Sequence, residues 1–117
     1  MKKIWTFWEF DHTLGSAVRV ISTPLGLEIF AEDVFQIIAP ELNNEKIVSL
    51  HIQVRERHVV LGEQITIVKT LNSGAIYNLK GIGKEQMINN FTQWIRSNVL
   101  PIFQKDVFER IENKSEL

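Results

Sequence analysis

Thr66–Leu79 reads TIVKTLNSGAIYNL and Phe91–Pro101 reads FTQWIRSNVLP, and the order of elements in these two stretches decides the fold class. The first begins as a strand and breaks at a polar run. Thr70, Asn72 and Ser73 are all good N-cap types, ahead of a short helix running to about Leu79 or Lys80. Gly81 and Gly83 suit its C-terminal end. A longer helix starts near Lys84. Ile88, Phe91, Ile95 and Val99 recur on one stripe, widened by Met87 and Trp94. Pro101 has no N–H to donate, so it is expected to stop or kink this helix.

Upstream, Ile47 to Arg57 alternates strictly. Val48, Leu50, Ile52 and Val54 form one set, and Ser49, His51, Gln53 and Arg55 the other. Period two predicts a strand with the apolar set buried. Its antiparallel partner is expected at Gln64 to Val68, with Ile65 and Ile67 facing the core. Gly62 marks the turn or a bulge between them. Nearer the start, Ile4 to Phe10 reads as a strand with Trp5 and Trp8 on opposite faces. Ala17 to Thr23 returns from a turn around Gly15. Pro24 and Gly26 make the next turn, before a short strand near Leu27 to Phe30. Glu32 and Asp33 then open a helix, where acids suit the positive end of the dipole, and Pro40 closes it. These elements predict one α+β domain over residues 1–117: a small antiparallel sheet of hairpins packed against two to three helices. A C-terminal helical extension begins at about 102.

With 44% hydrophobic residues in 117, the chain has material for one real core. The absence of cysteine removes disulfides, thiol catalysis and Cys-based zinc sites. No segment has the length and apolarity of a signal peptide or a membrane span, which leads to an expectation of a cytoplasmic, host-interior protein without a membrane partner. Net charge is −1, but unevenly placed: residues 1–45 carry −4, residues 46–105 carry +5, and residues 106–117 carry −2. A basic middle is able to present a positive face to phosphates.

Catalytic groups are hard to assemble. His12, His51 and His58 read as surface histidines, with no metal-ligand spacing among them. Glu32 and Asp33 are adjacent, so on a helix they diverge by about 100° and do not face one substrate. No catalytic residue, metal or cofactor is expected. The polar set of the central strand carries more weight. His51, Gln53, Arg55 and Arg57, with Lys69, Lys80 and Lys84, make a candidate nucleic-acid-binding face. Phe103, Val107, Phe108 and Ile111 crowd near the terminus. They are expected either to fold back on their own domain or to self-associate, with a homodimer as the natural result.

Four blocks resemble the Bro-N domain of phage anti-repressors and large DNA viruses. They are FWEFDHTLGSAVRVI (Phe7–Ile21), EIFAEDVFQII (Glu28–Ile38), ITIVKTLNSGAIYNL (Ile65–Leu79) and FTQWIRSNVLP. In the third, Gly74, Tyr77 and Leu79 match a G-x-x-Y-x-L pattern. In the last, Phe91, Trp94, Val99, Leu100 and Pro101 keep the family's spacing. The resemblance implies an α+β fold and a phage or prophage regulatory protein. Its partner would be double-stranded DNA or a regulatory or defence protein. The family's domains usually precede a second, variable domain, and this sequence ends soon after the last block. PELNNEK (Pro40–Lys46) is short and acidic where many members carry a longer basic stretch, and GIGKEQMINN (Gly81–Asn90) offers only Lys84. Both departures favour a protein partner, whereas the basic middle favours DNA; DNA binding through the basic central face is the first expectation, and a protein-binding inhibitor, an anti-repressor or a blocker of a host or defence factor, is the alternative.

Overall fold

Turn chemistry and alternation together build the sheet. The computed structural model describes residues 3–13, 15–41, 52–81 and 84–103, with the side chains of residues 80 and 81 left aside. Strands β1 (Trp8–Asp11), β2 (Ala17–Thr23) and β3 (Gly26–Phe30) form the expected meander. Helix α1 (Ala31–Ile38), strands β4 (Arg55–Leu61) and β5 (Gln64–Asn72), and helices α2 (Ser73–Tyr77) and α3 (Glu85–Trp94) follow. The sheet is antiparallel throughout, in the order β1-β2-β3-β5-β4. The α+β architecture read from the sequence is therefore the observed one.

Each face of the sheet has its own cover. Val20 pairs with Ile29 and Ile29 with Leu71, so these residues share one face. With Val18 they are buried beneath Val34, Ile37, Ile76, Ile88 and Phe91 of the helices. Fully burying a side chain of this size contributes about 1.5–3 kcal/mol. Asn72 caps α2 by accepting a hydrogen bond from the Ala75 amide at 2.8 Å. On the opposite face Ile21, Phe30 and Val59 form a smaller core. Here the cover is the N-terminal segment, whose Trp5 and Phe7 pack against that core. Ile4 bridges His58 in parallel, and the Trp5 amide donates to the His58 carbonyl at 2.7 Å.

Several sequence expectations shift. The strand expected over Ile47 to Arg57 begins at Arg55 and runs to Leu61. Residues 47–51, with Val48 and Leu50, lie outside the described residues. Ile52 and Val54 precede the strand, although both pack against the main core. The cause is the turn. Gly62 adopts φ +63°, a conformation that suits glycine, and closes a two-residue hairpin joining Leu61 to Gln64. Register then runs back from that turn to the pair Arg55 and Thr70. Ile65 and Ile67 are exposed rather than buried, because the helices cover only the Leu71 end of β5. Trp5 belongs to the N-terminal strap, not to the strand that starts at Trp8.

Pro101 does not end the last helix. Ile95–Val99 form a π turn, in which the Leu100 amide donates to the Ile95 carbonyl five residues back, and the helix continues to residue 103. A proline ring in a regular helix strikes the carbonyl four residues earlier, here that of Ser97, and widening the turn ahead of it relieves the crowding. His12 is the remaining correction. It is buried, with ring centroids 4.6 Å from Trp94 and 5.9 Å from Phe91. Burial lowers its pKa from the ordinary histidine value.

Candidate functional site

The residues expected to form a nucleic-acid face are dispersed. Arg55 and Arg57 share one face of β4, as alternation requires. Arg57 is committed to an internal partner. Its Nε donates to Glu28 Oε1 at 2.8 Å and its second guanidinium nitrogen to Oε2 at 2.6 Å. Thr70 Oγ1 donates to Oε1 at 2.7 Å, and Arg55 stands 3.9 Å from Oε2. The Arg57 guanidinium also lies 4.8 Å from the Trp5 ring centroid, with Lys3 Nζ at 3.9 Å from the same ring. Burial alone would raise the Glu28 pKa. The hydrogen bonds from Arg57 and Thr70 outweigh it and hold the carboxyl below its usual range, while Arg57 is raised by its own bonds to Glu28. Pulling Arg57 onto a phosphate would leave Glu28 buried without its main partner.

The other expected members fall elsewhere. Lys69 pairs across from Glu56, on the face opposite to Arg55 and Arg57. Gln53 is exposed ahead of the strand, and Lys84 is exposed just before α3. His51 and the Lys80 side chain lie outside the described residues. Of the expected self-association residues, Phe103 folds back on its own domain, with ring centroids 5.3 Å from Trp8 and 6.0 Å from Phe10. Val107, Phe108 and Ile111 lie outside the described residues.

Asp33, read as a helix-dipole acid, has a more specific role. Its Oδ2 accepts from the Arg19 amide and Nε, both at 2.9 Å, and Oδ1 accepts from the guanidinium at 2.8 Å. Arg19 in turn lies 4.5 Å from the Phe30 ring centroid. These two arginine–carboxylate clasps fasten α1 to β2 and β3 to β4. They act on the fold. Among the described residues, no three His, Asp or Glu side chains converge as a metal site. No described helix is long and apolar enough to cross a membrane.

What the strand pattern did not reveal is a hairpin with one face left exposed among the described residues. Val60 pairs with Ile65, and His58 with Ile67, so the three aliphatic residues share a face. They are 46%, 61% and 54% exposed. Strand β3 reaches only Thr70, Leu71 and Asn72 of β5. Residues 64–69 therefore have β4 on one side and, among the described residues, no strand on the other. A groove of about 550 Å³ runs along that open edge, between Thr66, Val68 and Lys69 of β5 and Phe30, Glu32 and Phe35 near the start of α1. The surplus of β-branched residues in Gln64–Val68 was legible. Their exposure was not, because a period-two pattern does not say how far the helices extend.

Comparison of the chain with protein-family models, with curated proteins and with solved structures gives no match in any of the three. The likeness to Bro-N domains rests on the four sequence blocks.

Proposed function

We propose that the chain is a non-enzymatic regulatory domain of Bro-N type, encoded by a phage or prophage and working in the host cell interior, that acts by binding another protein. The contact surface is the β4–β5 hairpin. One observation carries this reading: among the described residues, an exposed aliphatic face and an open strand edge occur on the same hairpin. An extended segment of a partner adds to such an edge through main-chain hydrogen bonds, and its alternate side chains meet the exposed face. Native proteins usually blunt open edges with charge or proline, and in residues 64–69 Lys69, at the end nearest β3, is the one such residue. Such binding suits an anti-repressor or a blocker of a host or defence factor, the protein-binding alternative to DNA binding that the Bro-N likeness leaves open.

Binding of double-stranded DNA is the second reading, favoured by the projection of a two-stranded ribbon with Arg55 on one face and Lys69 on the other. Its weakness is the commitment of Arg57 to Glu28. A shift assay with random duplex separates the two. Groove binding through a few lysines and arginines gives an affinity that falls with log salt at a slope near −3. The protein-binding reading expects no shift at moderate salt, and expects Ile65→Asp/Ile67→Asp to abolish binding of the partner protein.

A further inference from the structure

A second apolar groove lies away from the Arg57 clasp, between the β2–β3 turn, α2 and the last helix. It holds about 410 Å³, within the range of about 300–1,000 Å³ in which proteins enclose small molecules. Leu27, Ile76, Phe91, Ile95 and Leu100 supply apolar walls. Among the described lining residues Arg96 alone is charged. It is exposed, and no described carboxylate lies within salt-bridge distance of it. The π turn builds this wall. Five residues of regular helix turn by about 500°, which leaves Leu100 about 140° away from Ile95. The wider turn, with the Leu100 amide donating to the Ile95 carbonyl, brings Leu100 back towards the same side. Such turns recur at functional sites, and this one contains Arg96.

We propose that this groove binds a small amphipathic acid, with an apolar chain or single ring as its body and one carboxylate as its head. The walls select the body. A polar group placed against Leu27, Ile95 and Leu100 would lose its water without gaining a partner, whereas an alkyl chain or ring gains by leaving water. Arg96 selects the head. A guanidinium forks onto a carboxylate through two parallel N–H donors, and it repels a cationic head. A neutral head of the same length keeps the apolar contacts and forgoes the charge-assisted ones. Size favours a free acid over a partner protein. A stable protein interface covers about 800 Å² on each side, more than the walls of a groove of this volume offer.

The probes are decanoate and decanol, each titrated at neutral pH into the isotope-labelled full chain at concentrations below self-association. Decanoate is expected to shift the amide signals of Leu27, Ile76, Ile95 and Leu100 saturably, at one equivalent. Decanol should shift the same amides with an affinity about tenfold lower, the cost of one charge-assisted hydrogen bond at an exposed site. Arg96→Gln should weaken decanoate by about the same factor and leave decanol unchanged. Arg96 is exposed, so this variant keeps its fold. Leu27→Trp, which fills the groove, should remove binding of both probes. Groove amides that do not respond to decanoate, or that shift without saturating, overturn the proposal. So does an Arg96→Gln chain that binds decanoate as tightly as the parent. Groove amides that ignore decanoate but shift with a captured partner protein would also overturn it, and would give the groove to a macromolecule. None of these outcomes depends on the hairpin, so the two surfaces stand or fall separately.

Discussion

The two faces of the β4–β5 hairpin are built from similar residues and meet different fates. On one, Val59 and Val68 are covered by Trp5 and Phe7 of the N-terminal strap, which is fixed by the His58 carbonyl and by cation–ring contacts with Lys3 and Arg57. On the other, Val60, Ile65 and Ile67 remain exposed among the described residues. Sequence alternation is the same for both faces. What differs is the supply of covering structure among the described residues: a short strap suffices for one face, and the described helices stop short of the other. The covered face serves stability, and the face left exposed among the described residues is the one assigned to recognition in the proposed function.

The comparison breaks first at the covered face. Glu28→Ala should destabilise by about 3 kcal/mol, near the lower end for breaking a buried ion pair, since Arg57 keeps some solvent. Urea unfolding measures it, and Glu28→Gln/Arg57→Met should recover much of the loss. A cost under about 0.5 kcal/mol for Glu28→Ala would mean the clasp does not hold the hairpin.

Trp5→Ala comes next, at about 2 kcal/mol, less than a fully enclosed ring because Trp5 is only half-buried. Exchange protection of the Val59 amide should fall with it. On the bare face, by contrast, Ile65→Asp/Ile67→Asp should change stability by less than about 1 kcal/mol, because side chains already in water lose little there.

The smallest effect is one of pH. The His12 pKa is depressed by burial against Phe91 and Trp94, so the folded state favours the neutral ring. The unfolded chain binds that proton more readily. Stability is therefore complete above the ordinary histidine value of about 6.5 and declines as pH falls from there towards the folded pKa. Glu28 adds a separate loss at lower pH, as the solution falls through its own depressed pKa. Melting curves of His12→Gln should lose the first decline and keep the second.

Much of this was legible in the residues. Gly26 marked its turn and Gly62 a turn or bulge, Asn72 was one of three candidate caps, and Ile88, Phe91 and Val99 belonged to the expected buried stripe. The site was harder. Glu28 sits between Leu27 and Ile29, so alternation put it on the Phe30 face, but nothing local pointed to Arg57, 29 residues away. Arg19 and Asp33 are likewise joined only by the fold. Arginines that look available in a sequence are often already paired in three dimensions, and this took Arg57 out of the apparent basic face and into an internal clasp. Pro101 misled for a different reason, because a π turn absorbs its ring without ending the helix.

The most direct test of the recognition surface is quantitative capture from the cells that make the protein, comparing the parent chain with Ile65→Asp/Ile67→Asp and with Arg55→Ala/Lys69→Ala. The account predicts a defined protein retained by the parent and by the arginine–lysine variant, and absent from the isoleucine variant, whose melting temperature stays close to the parent's. Retention by the isoleucine variant, or loss confined to the arginine–lysine variant together with a salt-dependent duplex shift, would contradict it.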